Sequence, residues 1–143
     1  MENMTRPGKW NRRGTTLVEA AIILPLLVML TLGAIEYGWL FLNAQRITNA
    51  ARQGARMAIL PHPTALADAA SVVNQLLADA GLADDSPNVT IVPGPIPGDP
   101  SGREGVTVQI VVTTATLAIV RAEPLIPIPD TLSATVTMAK EGI

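Results

Sequence analysis

Few residues in this chain have types and spacings that could do chemistry. The one that most needs an explanation is Glu19. No charged residue occurs from Ala20 to Ile35, and Arg12 and Arg13 lie just upstream. An acid in a membrane segment costs about 2.5–3.5 kcal/mol at the bilayer centre and less near an edge. A plain anchor has no use for one. The chemistry that Glu19 offers is ion pairing, with a cation supplied when the protein is processed or assembled.

The other candidates lead nowhere as reactive sites. The chain has no cysteine, which excludes disulfides and thiolate metal centres. His62 is the single histidine, so a multi-histidine metal site within one chain is excluded. Between Pro61 and Pro63 it reads as an exposed turn residue. Asp84 and Asp85 have no further acids at calcium-loop spacing. Glu104, Glu123, Asp130 and Glu141 stand apart without companion motifs. The glycines of Pro93–Gly102 are not followed by a lysine and a helix start, so they form no phosphate loop. The expectation is a non-enzymatic protein with no catalytic residues, metal or cofactor. A net charge of −2 gives no case for nucleic acid.

The elements that would position Glu19 follow from hydropathy and punctuation. Of the 143 residues, 48% are hydrophobic but only 3% aromatic, so the apolar content is aliphatic and much of it sits in one segment. Residues 1–14 are a basic leader with Arg6, Lys9, Arg12 and Arg13. Residues 15–42 read as a transmembrane helix, since a bilayer core takes roughly 20 apolar residues. The leader favours a cytoplasmic N-terminus, although Arg46, Arg52 and Arg56 weaken the contrast. Tyr37 and Trp39 suit the membrane–water boundary, and Glu36 would lie beside them. A secretory signal peptide fits the same start, but the run is too long and no small-x-small cleavage site follows it. Pro25 removes the donor to the Ala21 carbonyl and is either a kink or a point of local loosening.

Residues 43–143 form the head. Helical pattern continues to about Leu60, where Pro61-His62-Pro63 stops it. One helix from Thr15 to Leu60 would be roughly 70 Å long at 1.5 Å per residue. Ala50, Gly54 and Ala58 repeat every four residues and let another backbone come close. Arg46, Arg52 and Arg56 read as a solvated face. Thr64 is placed to cap a second helix, with Leu66, Ala69, Ala70, Val73, Leu76, Leu77 and Ala80 at helical spacing and Gly81 past its end. Asn88–Val92, the alternating run Val106–Val112 and Leu132–Ala139 are strands. Pro93–Gly102 contains too many prolines and glycines for regular structure. The apolar stretch Pro124–Pro129 either folds back over the sheet or meets a partner. The fold class is α+β: a long N-terminal helix, a short second helix and an antiparallel sheet of about three strands.

The processing region, Gly14 followed five positions later by Glu19 and an apolar run, resembles that of type IV pilin-like proteins. Three stretches are similar to TadE-like pseudopilins: Val18-Glu19 with Leu24-Pro25-Leu26-Leu27, then Ala34-Ile35-Glu36-Tyr37-Gly38, then Ala50-Ala51-Arg52-Gln53-Gly54-Ala55-Arg56. Ala20 stands where the short major pilins of tight-adherence systems carry tyrosine, and those pilins lack a head of this size. The resemblance therefore implies a minor pilin or pseudopilin in a bacterial inner membrane, acting in a tight-adherence pilus used for adhesion and surface colonisation. It implies a prepilin peptidase cutting between Gly14 and Thr15, which leaves Glu19 fifth in the mature chain. The new α-amino group, with a reference pKa near 7.7–8.0, would pair with Glu19 of a neighbour and set subunit register. The implied partners are the peptidase, other pilin-like subunits, a membrane assembly platform and the lipid bilayer. The alternative is a permanently anchored extracytoplasmic binding module that keeps its leader.

Overall fold

A computed structural model of the chain describes residues 12–85, 87–115, 117–119 and 127–140. The chain divides into two compact units, Met1–Ile35 and Glu36–Ile143. The architecture is α+β. Helix α1 (Arg12–Ala58) runs without interruption through Pro25. It begins at Arg12, within the stretch read as a basic leader; residues 1–11 lie outside the described residues.

In the first unit every side chain described from Gly14 to Leu32 is exposed. Leu17, Ile22, Leu26 and Leu30 are each about 70% accessible. Moving one such side chain out of water gains about 1.5–3 kcal/mol. Those four alone approach the roughly 5–15 kcal/mol that stabilises an entire domain. This part of α1 is long and apolar enough to cross a membrane.

The second unit has a conventional core. Ile47, Ala50, Ala51, Ala55 and Ala58 of α1 pack with Ala69, Val73 and Leu77 of α2 (Ala65–Asp79). Val106, Val108, Ile110 and Val112 of the central strand complete the core. Small residues on α1 bring α2 close. A Cβ added at Gly54 would lie 2.3 Å from Val73 Cγ2. On α2, Ala65 is buried and Leu66 is 42% exposed, so the buried row starts one residue earlier than the pattern predicts. Thr64 occupies the N-cap position, but its hydroxyl makes no bond to the backbone. It donates to Asp68 Oδ2 at 2.6 Å, a charge-assisted bond to the carboxylate one turn on. The helix ends in a Schellman arrangement: Gly81 N–H donates to Ala78 O and Leu82 N–H to Leu77 O. Gly81 takes the required positive φ of 74°.

The sheet is an antiparallel meander in the order β1-β2-β3, with β1 at Asn88–Pro95, β2 at Glu104–Thr113 and β3 at Thr131–Ala139. Val108 faces Ile91 on one side and Val136 on the other. Strand β1 extends through Pro93 and Pro95, beyond its expected end at Val92. An edge strand tolerates proline because one side of its backbone has no ladder to complete. Between β1 and β2, Asp99 accepts the Ser101 hydroxyl at 2.5 Å, the Ser101 N–H at 2.9 Å and Arg103 Nε at 2.6 Å. The Ser101 bonds, helped by Arg103, lower its pKa to about 2.

Candidate functional site

Gly14, Thr15 and Glu19 all lie in the first turns of α1, in the first unit. Glu19 lies four positions after Thr15. Gly14 and Glu19 are exposed. Thr16, Glu19, Ala20, Ile23, Leu24 and Leu27 line a shallow, almost wholly apolar depression, and Glu19 is the charged residue among them. A Cβ on Gly14 would meet nothing within 4 Å. Its backbone is helical, so neither packing nor dihedral strain in this fold calls for glycine there. A reason for it must come from something that approaches the chain.

Ala50, Gly54 and Ala58 face the core of the second unit, and Gly54 sits against α2 of the same chain. The three arginines of this part of α1 do not share one environment. Arg46 is half-buried and donates from Nη1 to Ala80 O at 3.2 Å and to Asn43 Oδ1 at 3.3 Å. Its guanidinium lies 5.7 Å from the Trp39 ring centroid. A cation at the carbonyl end of α2 is favourably placed against the helix dipole. Arg52 and Arg56 are exposed. His62 is exposed in its turn, with Nδ1 2.8 Å from the Thr64 hydroxyl.

A second polar cluster was not apparent in the sequence pattern. Glu36 is fully buried, and its Oε1 accepts the Ile119 N–H at 3.1 Å. Trp39 Nε1–H donates to Leu117 O at 3.0 Å, and the Tyr37 hydroxyl donates to Pro127 O. The Thr114 hydroxyl donates to Pro129 O. The aromatic groups expected only as boundary markers therefore fasten the β2–β3 connection to α1. Of Pro124–Pro129, residues 127–129 are described and take part in this contact; 124–126 lie outside the described residues. Asn43 is also fully buried, and its Nδ2 has no partner among the described residues. The one signal in the sequence was an acid, Glu36, within one turn of Tyr37 and Trp39.

Among the described residues no group of three or more His, Cys, Asp or Glu side chains comes together to hold a metal. The described residues comprise an apolar helical segment carrying one exposed acid, and a small α+β unit with its own core. Residues 14–56 match the family model described as TadE-like protein. The match covers Gly14, Glu19 and α1 as far as Arg56. No curated protein and no solved structure matches the chain.

Proposed function

We propose, taking the TadE-like segment at 14–56 as the premise, that the chain is a non-enzymatic minor pilin or pseudopilin of a tight-adherence pilus. A prepilin peptidase cuts it after Gly14. In this reading residues 1–14 are the leader, 15–42 span the bacterial inner membrane and 43–143 form the extracytoplasmic head, with the N-terminus cytoplasmic. The peptidase, other pilin-like subunits and an assembly platform in the membrane are its partners.

The observation that carries this reading is the glycine at 14. It is exposed, in a helix, and surrounded by open space, so the fold itself places no demand on it. A peptidase that must reach the backbone does, because a side chain would obstruct it. Glu19 supports the same reading, as an acid kept in an apolar helix for the amine that cleavage would create at Thr15.

The competing reading is a permanently anchored module, and it draws on α1 running unbroken from Arg12 across the Gly14–Thr15 bond. N-terminal sequencing of the protein from its native membrane separates the two. The expected first residue is Thr15, and Gly14→Leu leaves the full-length precursor. Recovery of the arginine-rich start in the native protein, or continued cutting before Thr15 in Gly14→Leu, overturns the proposal.

A further inference from the structure

The second unit begins at Glu36, so residues 36–42, the end of the segment read as membrane-spanning, also belong to the fold of the head. Helix α1 is continuous across that point. Its next charged residue after Glu36 is Arg46, and Glu36 itself is fully buried. What this stretch leaves in the open is apolar: Tyr37 is 49%, Phe41 66% and Leu42 42% exposed. These residues follow, in the same helix, a segment long and apolar enough to cross a membrane. Tyrosine favours the membrane–water boundary.

The β2–β3 connection that meets this stretch is suited to a place with little water. In water, loop carbonyls are solvated; near lipid, each needs a partner from the protein. Leu117 O accepts Trp39 Nε1–H, Pro127 O accepts the Tyr37 hydroxyl and Pro129 O accepts the Thr114 hydroxyl. The N–H groups of Leu117 and Ala118 donate to Thr114 O at 3.0 and 3.1 Å. Ile119 N–H donates to Glu36 Oε1 at 3.1 Å. Pro127 and Pro129 have no N–H to satisfy. The backbone is thus capped from within, while the Ile119 side chain is 56% exposed.

Beside this connection lies an open groove of about 510 Å³, lined by Tyr37, Phe41 and Ala44 of α1 together with Pro129 and Leu132. Small-molecule sites typically enclose about 300–1,000 Å³. No charged side chain lines the groove, so it suits a hydrocarbon chain and not a headgroup. We propose that it seats an acyl chain of a membrane phospholipid, drawn from the leaflet on the head's side, with the β2–β3 connection resting in the membrane boundary. The inference rests on the reading of α1 as membrane-spanning. Lipid is the occupant because the groove's α1 residues continue the membrane-length segment, and because the neighbouring loop has its carbonyls already capped.

The test uses the full-length chain in vesicles of phosphatidylethanolamine and phosphatidylglycerol, doped with a phosphatidylcholine that carries a diazirine midway along one acyl chain. After irradiation, lipid adducts are mapped by mass spectrometry. The expected adducts fall within residues 17–35, and again on Phe41 and Leu132. Gln109 and Thr135, paired and exposed on the sheet, should carry none. Ala44→Trp fills the groove and should lower labelling of Leu132 several-fold, with labelling of 17–35 unchanged and the β2 amides still protected from deuterium exchange. Ala44→Leu, a milder filling, should give an intermediate loss. Labelled 17–35 beside unlabelled Leu132, the result if a second copy or another subunit occupies the groove, overturns this inference alone. So does labelling of Gln109 and Thr135 equal to that of Leu132, or labelling of Leu132 that neither Ala44 variant lowers. Unlabelled 17–35 overturns the membrane-spanning reading, and this inference with it.

Discussion

A Cβ at Gly54 would overlap the Val73 methyl at 2.3 Å and lies near the Ala69 carbonyl, while one at Gly14 would touch nothing. Identical residues are thus held by different demands. Gly54→Val forces α1 and α2 apart in a packed core, and overpacking of this kind costs about 1–3 kcal/mol. We expect a lower urea midpoint for the full-length protein in detergent, with the helical signal retained in the folded state. An unchanged midpoint would show that the two helices do not meet there. The four-residue repeat of Ala50, Gly54 and Ala58 made a close approach legible from the sequence. It did not say that the approaching element is α2 of the same chain, because small-residue spacing describes one surface and is silent about the other.

At the scale of elements, both helices and the three strands were readable from periodicity, and the strands alternated as a half-buried sheet must. The connections were less so. Strand β1 outran its prediction because proline was read as a breaker, when its position on an edge neutralises that effect. The fastening of the β2–β3 connection was invisible for a different reason. Glu36 accepts a backbone N–H from a residue 83 positions away, and a backbone donor leaves no mark in side-chain identity. Glu36→Ala removes an acceptor from a partly buried N–H, a loss of about 1–3 kcal/mol. The Ile119 amide should exchange faster with solvent deuterium in that variant, while the amides of β2 stay protected. Glu36→Gln retains an acceptor oxygen and should exchange at an intermediate rate. If the Ile119 amide exchanges equally in all three proteins, the carboxylate is not holding the connection.

For the whole molecule the question is why an exposed acid persists on a helix that is otherwise aliphatic. Hydropathy made the apolar segment plain, and the Gly14–Glu19 spacing suggested what the acid serves. Lipid alone would select against the carboxylate, since a charge in the apolar layer is unfavourable by up to about 2.5–3.5 kcal/mol. Glu19→Ala should therefore enter the membrane at least as well as the native chain. If a neighbour's α-amino group is the partner, the same change removes the only charge available to it in this segment, and subunits lose the interaction that fixes their axial register. The expected outcome is an unchanged membrane fraction together with a large drop in the protein recovered from sheared pili or from cross-linked assembly complexes. Glu19→Asp, with its carboxylate drawn back by one methylene, should recover part of that loss, whereas Glu19→Gln keeps the shape without the charge and should not. Normal incorporation of Glu19→Gln would mean that hydrogen bonding or shape suffices, and the ion pair would have to be abandoned even if cleavage before Thr15 were established.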